Sequence, residues 1–490
     1  MPARSILGVA AVMSEFWIDQ LTVEKVVLTG LRADSAVLEG GVDLFVNDVL
    51  WARLYPLAHA QAIQEAGGVL SIDVQLPCRL SEGFDRPDLR LAMAESGEPI
   101  GHSASRPLPR KRKARALVLI PAGHRYDHDK VRMHDWPVSQ IIDTYSNIGD
   151  LMVYDSTLKL LDFEDIEVAN IVDFKDIDVD RYNAEFDFAF LRGSNFIHEY
   201  MDWARAGELI ERLKIPVFAI GVGAQAETRR PIDLPPEGQR VWAAIGDKCG
   251  SIGVRGIYSA EVLAHNGIKN VEVVGCPSLF RKRDRNLTLD LKHQADVRRI
   301  AFSLRRETGG NYCRDLETYL TLQRAFMLRL DQESHMTVTL HGEREEKAYF
   351  FRDHDRELPA RETLFEEDWF QESNIFQMED IYRNRMFFNT TVAAYDDFIA
   401  TQDFAIGYRV HGILPALANG IPGMLVDYDE RSAELAQTLN IPLIPESELK
   451  NASWRDFYTR EAWSRFTRGF TEKYDTMRNY LTKNGVPHRL

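Results

Sequence analysis

The fold turns on one stretch: Phe404-Ala405-Ile406-Gly407-Tyr408-Arg409-Val410-His411-Gly412-Ile413-Leu414-Pro415-Ala416-Leu417-Ala418-Asn419-Gly420-Ile421-Pro422-Gly423-Met424-Leu425-Val426. Phe404 to Gly407 is an apolar run too short for a helix, so it reads as a buried strand. His411 to Asn419 is rich in Ala and Leu and ends at Asn419-Gly420, a helix stop reinforced by Pro422. Met424 to Val426 is a second strand. Strand, helix and strand in so few residues form a crossover between parallel strands.

The same alternation extends outward. Arg299 to Leu304 reads as a strand, Asp315 to Leu330 as a helix and Met336 to Leu340 as a strand. Tyr395 to Ile399 reads as a short helix, and helices from Glu446 to Leu481 close the chain. Earlier come the short apolar runs Ala116 to Pro121, Phe186 to Leu191, Val217 to Ile220, Ser251 to Arg255 and Val271 to Val274. Between them lie amphipathic stretches such as Tyr200 to Leu213 and Tyr258 to His265. The expected class is α/β, with two Rossmann-like domains, 116–295 and 296–490, facing a cleft. The charged stretch 343–375 reads as an insertion, a mobile lid over that cleft.

Residues 1–115 read differently. Val23 to Thr29, Val42 to Val46, Val69 to Gln75 and Leu89 to Ala94 alternate like strands and are separated by turn residues. They predict a small accessory β-sandwich-like domain, with Val42 to Leu50 as a hairpin. The run Arg110-Lys111-Arg112-Lys113-Ala114-Arg115 then reads as a solvated basic linker. Peripheral contact with an anionic membrane surface or glycan is the alternative.

The chain has 490 residues, 45% hydrophobic and 27% charged, which excludes global disorder and a fibrous repeat. Lys and Arg number 59 against 74 Asp and Glu, a net charge of −15, so no nucleic-acid partner is expected. Cys78, Cys249, Cys276 and Cys313 form no CxxC pair and indicate a reducing compartment. No stretch reads as transmembrane, and the expected location is cytoplasmic.

Four constellations fall where strands give way to helices, the place where parallel sheets bind ligands. Asn147-Ile148-Gly149-Asp150 can offer helix amides and the Asn147 side chain to an anion, or simply cap a helix. Arg192-Gly193-Ser194-Asn195 and Gly221-Val222-Gly223 end consecutive strands with accessible backbone. Arg255 and Ser259, one helical turn apart, suit a carboxylate or phosphate. Arg409, His411 and Gly412 form the sharpest group, with a further cation at Arg431. His341 is a secondary candidate at the end of its strand. No metal motif is present.

These segments resemble the polysaccharide pyruvyl transferases. Arg409 to Arg431 is similar to that family's Arg-x-His-Gly turn, Ala-rich helix, Gly-x-Pro and Tyr-Asp-x-Lys stretch. Asn147-Ile148-Gly149-Asp150 is similar to its Asn-x-Gly-Asp turn, and Val254-Arg255 with Ser259 to its Val-Arg-Asp-x-x-Ser motif. Gly256 stands where Asp is usual, Arg192 and Ser194 interrupt a glycine cluster, and Arg431 replaces Lys. The resemblance implies a GT-B-like fold and phosphoenolpyruvate as donor, with no cofactor. It implies transfer of the pyruvyl group to a sugar or lipid-linked oligosaccharide of a cell-surface polysaccharide, forming a pyruvate ketal and releasing phosphate. Arg255, Arg409 and His411 are the catalytic candidates. Asn147, Gly149, Gly193, Ser194, Gly221, Gly223, Ser259 and Arg431 are the donor-binding candidates. Two other readings stay open: a nucleotide-sugar glycosyltransferase, with Asp427 or Glu430 on the ribose, and a non-catalytic glycan-binding protein.

Overall fold

The computed structural model describes residues 114–490, apart from 124, 128–129, 133–135, 145–146, 170, 172–176, 202, 204, 227, 308–312 and 314; ahead of these it describes strand segments. Residues 1–112 and 113–490 form two compact units. In the first unit Trp17–Leu21, Lys25–Arg32 and Val69–Gln75 pair antiparallel. Val42–Val46 pairs with Val49–Leu54 as the expected hairpin and also with Leu89–Met93, which pairs with Pro99–His102. The sandwich packing expected of these strands lies outside the described residues, as do residues 110–113 of the basic run. Arg115 is no linker residue: it opens the first strand of the second unit and pairs with Asp165 and Glu185.

The second unit is α/β with parallel sheets. β1 (Arg115–Ile120), β2 (Asp165–Val168), β3 (Phe188–Leu191) and β4 (Val217–Ala219) form a parallel sheet in the order β2-β1-β3-β4. β5 (Ile252–Val254) pairs in parallel with β6 (Val271–Val273), and a bridge from Val222 to Val254 joins this pair to the chain after β4. β7 (Arg299–Ser303), β8 (His335–Thr339), β9 (Met386–Phe387), β10 (Phe404–Gly407), β11 (Gly423–Asp427) and β12 (Leu443–Pro445) form a second parallel sheet in the order β9-β8-β7-β10-β11-β12.

Both faces of each sheet are covered, which is why the strands read as continuous apolar runs. Along β1 the faces alternate: Ala116 and Val118 enter one core, Leu117 and Leu119 another. The helices that matter here are α1 (Ile148–Leu160), α2 (Ile257–His265), α3 (Leu316–Glu333), α4 (Arg344–Phe351), α5 (His354–Glu366), α6 (Ile375–Asn384), α7 (Val410–Ala418), α8 (Glu430–Leu439) and α9 (Ser464–Lys483).

α1 is buried on nearly every side, and one core cluster runs through it from β1 to the second sheet. α9 ties the sheets from outside, where Tyr480 donates to the Ala219 carbonyl at 2.6 Å. Trp463, just ahead of α9, donates to the Gly423 carbonyl at 3.1 Å. Between α1 and the second sheet, the fully buried Arg281 pairs with Asp155 of α1 at 2.5 Å and with Asp396.

The stretch 343–375 departs from the expectation of a mobile lid. It folds into α4, α5 and the start of α6, and Glu343, Glu346 and Lys347 are wholly buried. Its charges neutralise one another inside the fold. Arg306 is held by Glu345, Glu346 and Glu367, and the Lys347 ammonium donates to the carbonyls of Ile141 and Thr144 at 2.8 and 3.0 Å.

Candidate active site

The carboxyl ends of the strands in the two sheets meet around His411. α7 starts there because Gly407, with φ at +149°, turns the chain where a side chain would lie 2.5 Å from the Ser303 carbonyl. Arg409 holds the N-cap position without capping through its side chain, and the Gly412 amide donates to the Arg409 carbonyl at 2.9 Å. The His411 ring packs over Gly149, whose Cβ, if present, would lie 2.8 Å from Nδ1. Its Nε2 lies 3.7 Å from the Cys276 sulfur.

Three arginines bear on that ring. Desolvation, then the charges of Arg255, Arg431 and Arg192, outweigh Asp150 and hold the His411 pKa down at about 3. The imidazole is therefore neutral at ordinary pH. The residue as a whole is half-buried.

These arginines differ in how they are held. Arg255, at the end of β5, is 8% exposed; its amide donates to the Val222 carbonyl at 2.8 Å, while its side chain makes no hydrogen bond or ion pair among the described residues. Burial pushes its pKa down, against the pull of Glu434. Its side chain lies across Gly223, where a Cβ would fall 2.1 Å from Nε. Arg192, at the end of β3, donates to the Gly193 carbonyl at 3.1 Å and lies 3.3 Å from Asp150. Its Nε has no partner among the described residues. Arg431 donates from Nε to Asp429 at 2.6 Å and from Nη2 to the Tyr428 hydroxyl at 3.1 Å.

Arg409 sits elsewhere in the network. Its guanidinium pairs with the buried Glu343 and donates to the Leu304 carbonyl at 3.3 Å. Burial alone would lift the Glu343 carboxyl, but Arg409, His341 and the His341 amide pull it down to about 2. Glu343 also accepts from the amides of His341 and Gly342 at 2.8 and 2.9 Å. His341 is 1% exposed, and neither ring nitrogen has a partner among the described residues. Burial first, then Arg409, holds it neutral with a pKa of about 3.

The other residues singled out from the sequence fall close by. Asn147 caps α1 by accepting from the Gly149 amide at 3.0 Å, and the Ile148 amide donates to the His341 carbonyl at 2.9 Å. Ser194 donates to Asp150 at 3.0 Å. Gly193 sits against the carbonyls of Gly221 and Ile220, and Gly221 (φ +69°) against Pro277. Ser259 lies at the first turn of α2, and a carboxylate is already there. Glu434 of α8 accepts from the Ser259 amide at 2.6 Å and from its hydroxyl at 3.0 Å, and the same hydroxyl accepts from the Ala224 amide at 2.8 Å. Gly256 makes this possible, since a Cβ there would lie 2.2 Å from Glu434 Cγ.

Cys276, Asp150, Glu343 and Glu434 belong to this network and had no role assigned from the sequence. Cys276 and Asp150 had a visible signal, because each follows a strand or turn already marked. Glu343 and Glu434 looked like ordinary charges on helical segments. Glu307, Glu345 and Glu346 bring their carboxylates together as a cation site would. Arg306 already sits among them, so the positive charge is supplied by the chain. Burial there lifts Glu307 to about 8.

Solved structures with related topology have low identity. A UDP-bound MnaA of S. aureus is 12% identical, covers 76% of this chain and 98% of its own, and has a TM-score of 0.36. The UDP-GlcNAc 2-epimerase of Methanocaldococcus jannaschii, with UDP-GlcNAc and UDP, is 12% identical over 75% of this chain and 99% of its own (TM-score 0.36). The E. coli heptosyltransferase WaaC with ADP is 9% identical over 74% and 98% (TM-score 0.28). No curated protein matches. Residues 147–430, the segment that carries Asn147, Arg192, Arg255, Cys276, His341 and His411, match the polysaccharide pyruvyl transferases, and the chain belongs to that family.

Proposed function

We propose that this chain transfers the pyruvyl group of phosphoenolpyruvate to two hydroxyls of a sugar in a cell-surface polysaccharide or its lipid-linked precursor. The two parallel sheets would then act as the halves of a GT-B-like transferase. The observation that carries the reading is the buried, unpaired Arg255 beside a histidine kept neutral by neighbouring arginines. A fold that desolvates a guanidinium without a direct ion pair, with Glu434 acting on it only through its charge, gains when an anion arrives. Phosphoenolpyruvate brings a carboxylate and a phosphate on three carbons, so two clustered arginines and the amides of a helix start suit it.

In this reading Arg255 and Arg192 hold the donor, with the first turn of α7 facing the phosphate. Arg431 adds positive potential while Asp429 fixes its direction. The donor's charge offsets the arginines and raises the basicity of His411, so the ring becomes able to take a proton only when the donor is bound. His411 then accepts the proton of the attacking sugar hydroxyl. Arg409 acts through Glu343, which fixes the backbone at His341, and does not touch the donor. No metal enters the scheme.

The direct test is phosphate release from phosphoenolpyruvate against galactosides, mannosides and lipid-linked sugars. Release that depends on the sugar is the expected result. Absence of release with every acceptor, together with thermal stabilisation by UDP- or GDP-sugars and none by phosphoenolpyruvate, overturns the proposal in favour of a glycosyltransferase.

A further inference from the structure

We propose that Cys276 is the proton donor to the methylene carbon of the enolpyruvyl group, working as a pair with His411 across the seam between the two sheets. This deepens the pyruvyl transfer reading and rests on it. Ketal formation needs a group that protonates carbon and a group that deprotonates a hydroxyl, and His411 alone cannot hold both roles in one step.

The geometry supplies the second group. Cys276 follows β6 and is contributed by the first sheet's side of the seam, whereas His411 comes from the start of α7 on the other. The sulfur and Nε2 are 3.7 Å apart, within hydrogen-bond reach for sulfur. Cys276 is 4% exposed, and burial pushes its thiol above the ordinary range, so it carries its proton. An independent feature marks this spot as a ligand position. Arg255, nine-tenths buried and without an ion pair among the described residues, acts by its charge on both the thiol and the ring. Asp150, Arg192 and Arg431 also act on the ring, so its protonation answers to the whole group.

The step balances as follows. The S–H bond of Cys276 breaks, and its proton joins the methylene carbon, which becomes the methyl group. The sugar oxygen bonds to the central carbon while His411 takes the hydroxyl proton. His411 then returns that proton from Nε2 to the thiolate. A second hydroxyl attacks the central carbon, the carbon–oxygen bond to phosphate breaks, and the departing phosphate carries the second hydroxyl proton. The pair ends as it began, with no oxidant or reductant.

The test uses the full chain. Cys276→Ser keeps the shape and removes the acidic proton. Its acceptor-dependent phosphate release is expected to fall at least 100-fold, while phosphoenolpyruvate affinity, read by thermal shift, stays within about threefold. In Cys276→Asp the donor has a lower pKa, so a residual rate with its optimum moved to more acid pH is expected. A structural role would not move that optimum. Wild-type activity with Cys276→Ser within fivefold of it overturns the proton-donor role alone. A wild type that releases no phosphate with any acceptor overturns the transferase reading and this role with it. A measurement on the wild type covers variants that fail to fold. At a pH alkaline enough for iodoacetamide to label Cys276 in the unliganded chain, phosphoenolpyruvate is expected to slow that labelling, read by mass spectrometry, and equal labelling rates with and without it overturn the proposal.

Discussion

Replacing Arg255 by Met separates binding from stability in a way that the other arginines do not. The guanidinium is 8% exposed and has no ion pair, and its burial lowers its pKa. The folded chain therefore spends free energy to keep that charge desolvated, and a methionine of similar length removes the cost. Arg255→Met is expected to unfold at the same temperature as the wild type or higher. The donor loses a charge-assisted hydrogen bond of about 1.5–3 kcal/mol, a factor of about 10 to 150 in affinity. The loss can be read without turnover. At a phosphoenolpyruvate concentration of about 100 times the wild-type Kd, ligand binding stabilises by about 2.7 kcal/mol. With affinity about 50-fold weaker, the same concentration stabilises by only about 0.6 kcal/mol. Thermal unfolding with and without phosphoenolpyruvate should show a large shift for the wild type and a small one for the variant. An Arg255→Met protein that melts early and keeps the full ligand shift refutes the reasoning, because Arg255 would then be a structural cation.

Arg409→Ala and Glu343→Gln should behave in the opposite way: each leaves one buried charge of the pair unmatched, for a loss of about 3–5 kcal/mol, and thermal unfolding near the wild-type value would contradict this. Acid should destabilise the chain through His341 and His411. Their folded pKa of about 3 lies below the ordinary histidine value of 6.5, so the unfolded chain binds more protons in this window, and the stability present above about pH 6.5 is lost as pH falls toward 3. The slope is up to about 1.4 kcal/mol per pH unit for each ring. His341→Phe should flatten the fall of melting temperature between pH 6 and 4.5, and an unchanged slope removes His341 from the account. Gly256→Ala drives a methyl into the Glu434 side chain and should cost about 1–3 kcal/mol, which Glu434→Ala in the same chain should largely restore if the clash is the cause; two additive losses in unfolding experiments would show that it is not.

The strand–helix–strand reading of Phe404 to Val426 was legible because burial on both faces leaves a run of apolar residues with nothing to alternate. The structure places β10, α7 and β11 on it within about two residues. The two-residue β9 offered no such run, since Met386–Phe387 adds to an edge of the sheet with half-buried side chains. Charged helices misled the reading for a different reason. Composition says that Glu343, Glu346 and Lys347 are charged, but only the tertiary fold brings Arg409, Arg306 and the carbonyls of Ile141 and Thr144 to meet them. The same blindness made Arg255 and Arg409 look equivalent. Both end a strand and both precede a helix, yet one found a carboxylate 66 residues away in the chain and the other did not.

Partnering also changes the meaning of Gly256. An Asp is usual beside the strand-end arginine in the resembling motif, and its loss looked like a missing function. Here the bare glycine opens the space that Glu434 enters, and the Glu434 carboxylate caps α2 at Ser259 while its charge still acts on Arg255. The negative charge has moved to a different helix and remains at the site. Cys276 follows the same logic. It follows β6, where a Cβ on Gly221 (φ +69°) would lie 3.6 Å from the Cys276 Cα, so the two backbones pass close together while the Cys276 sulfur lies 3.7 Å from His411 Nε2. A site that relocates one acid and presents a thiol beside a neutral imidazole has exchanged fixed carboxylate charges for groups that carry protons. The net positive potential at the strand ends is then left for the donor's own anions to satisfy.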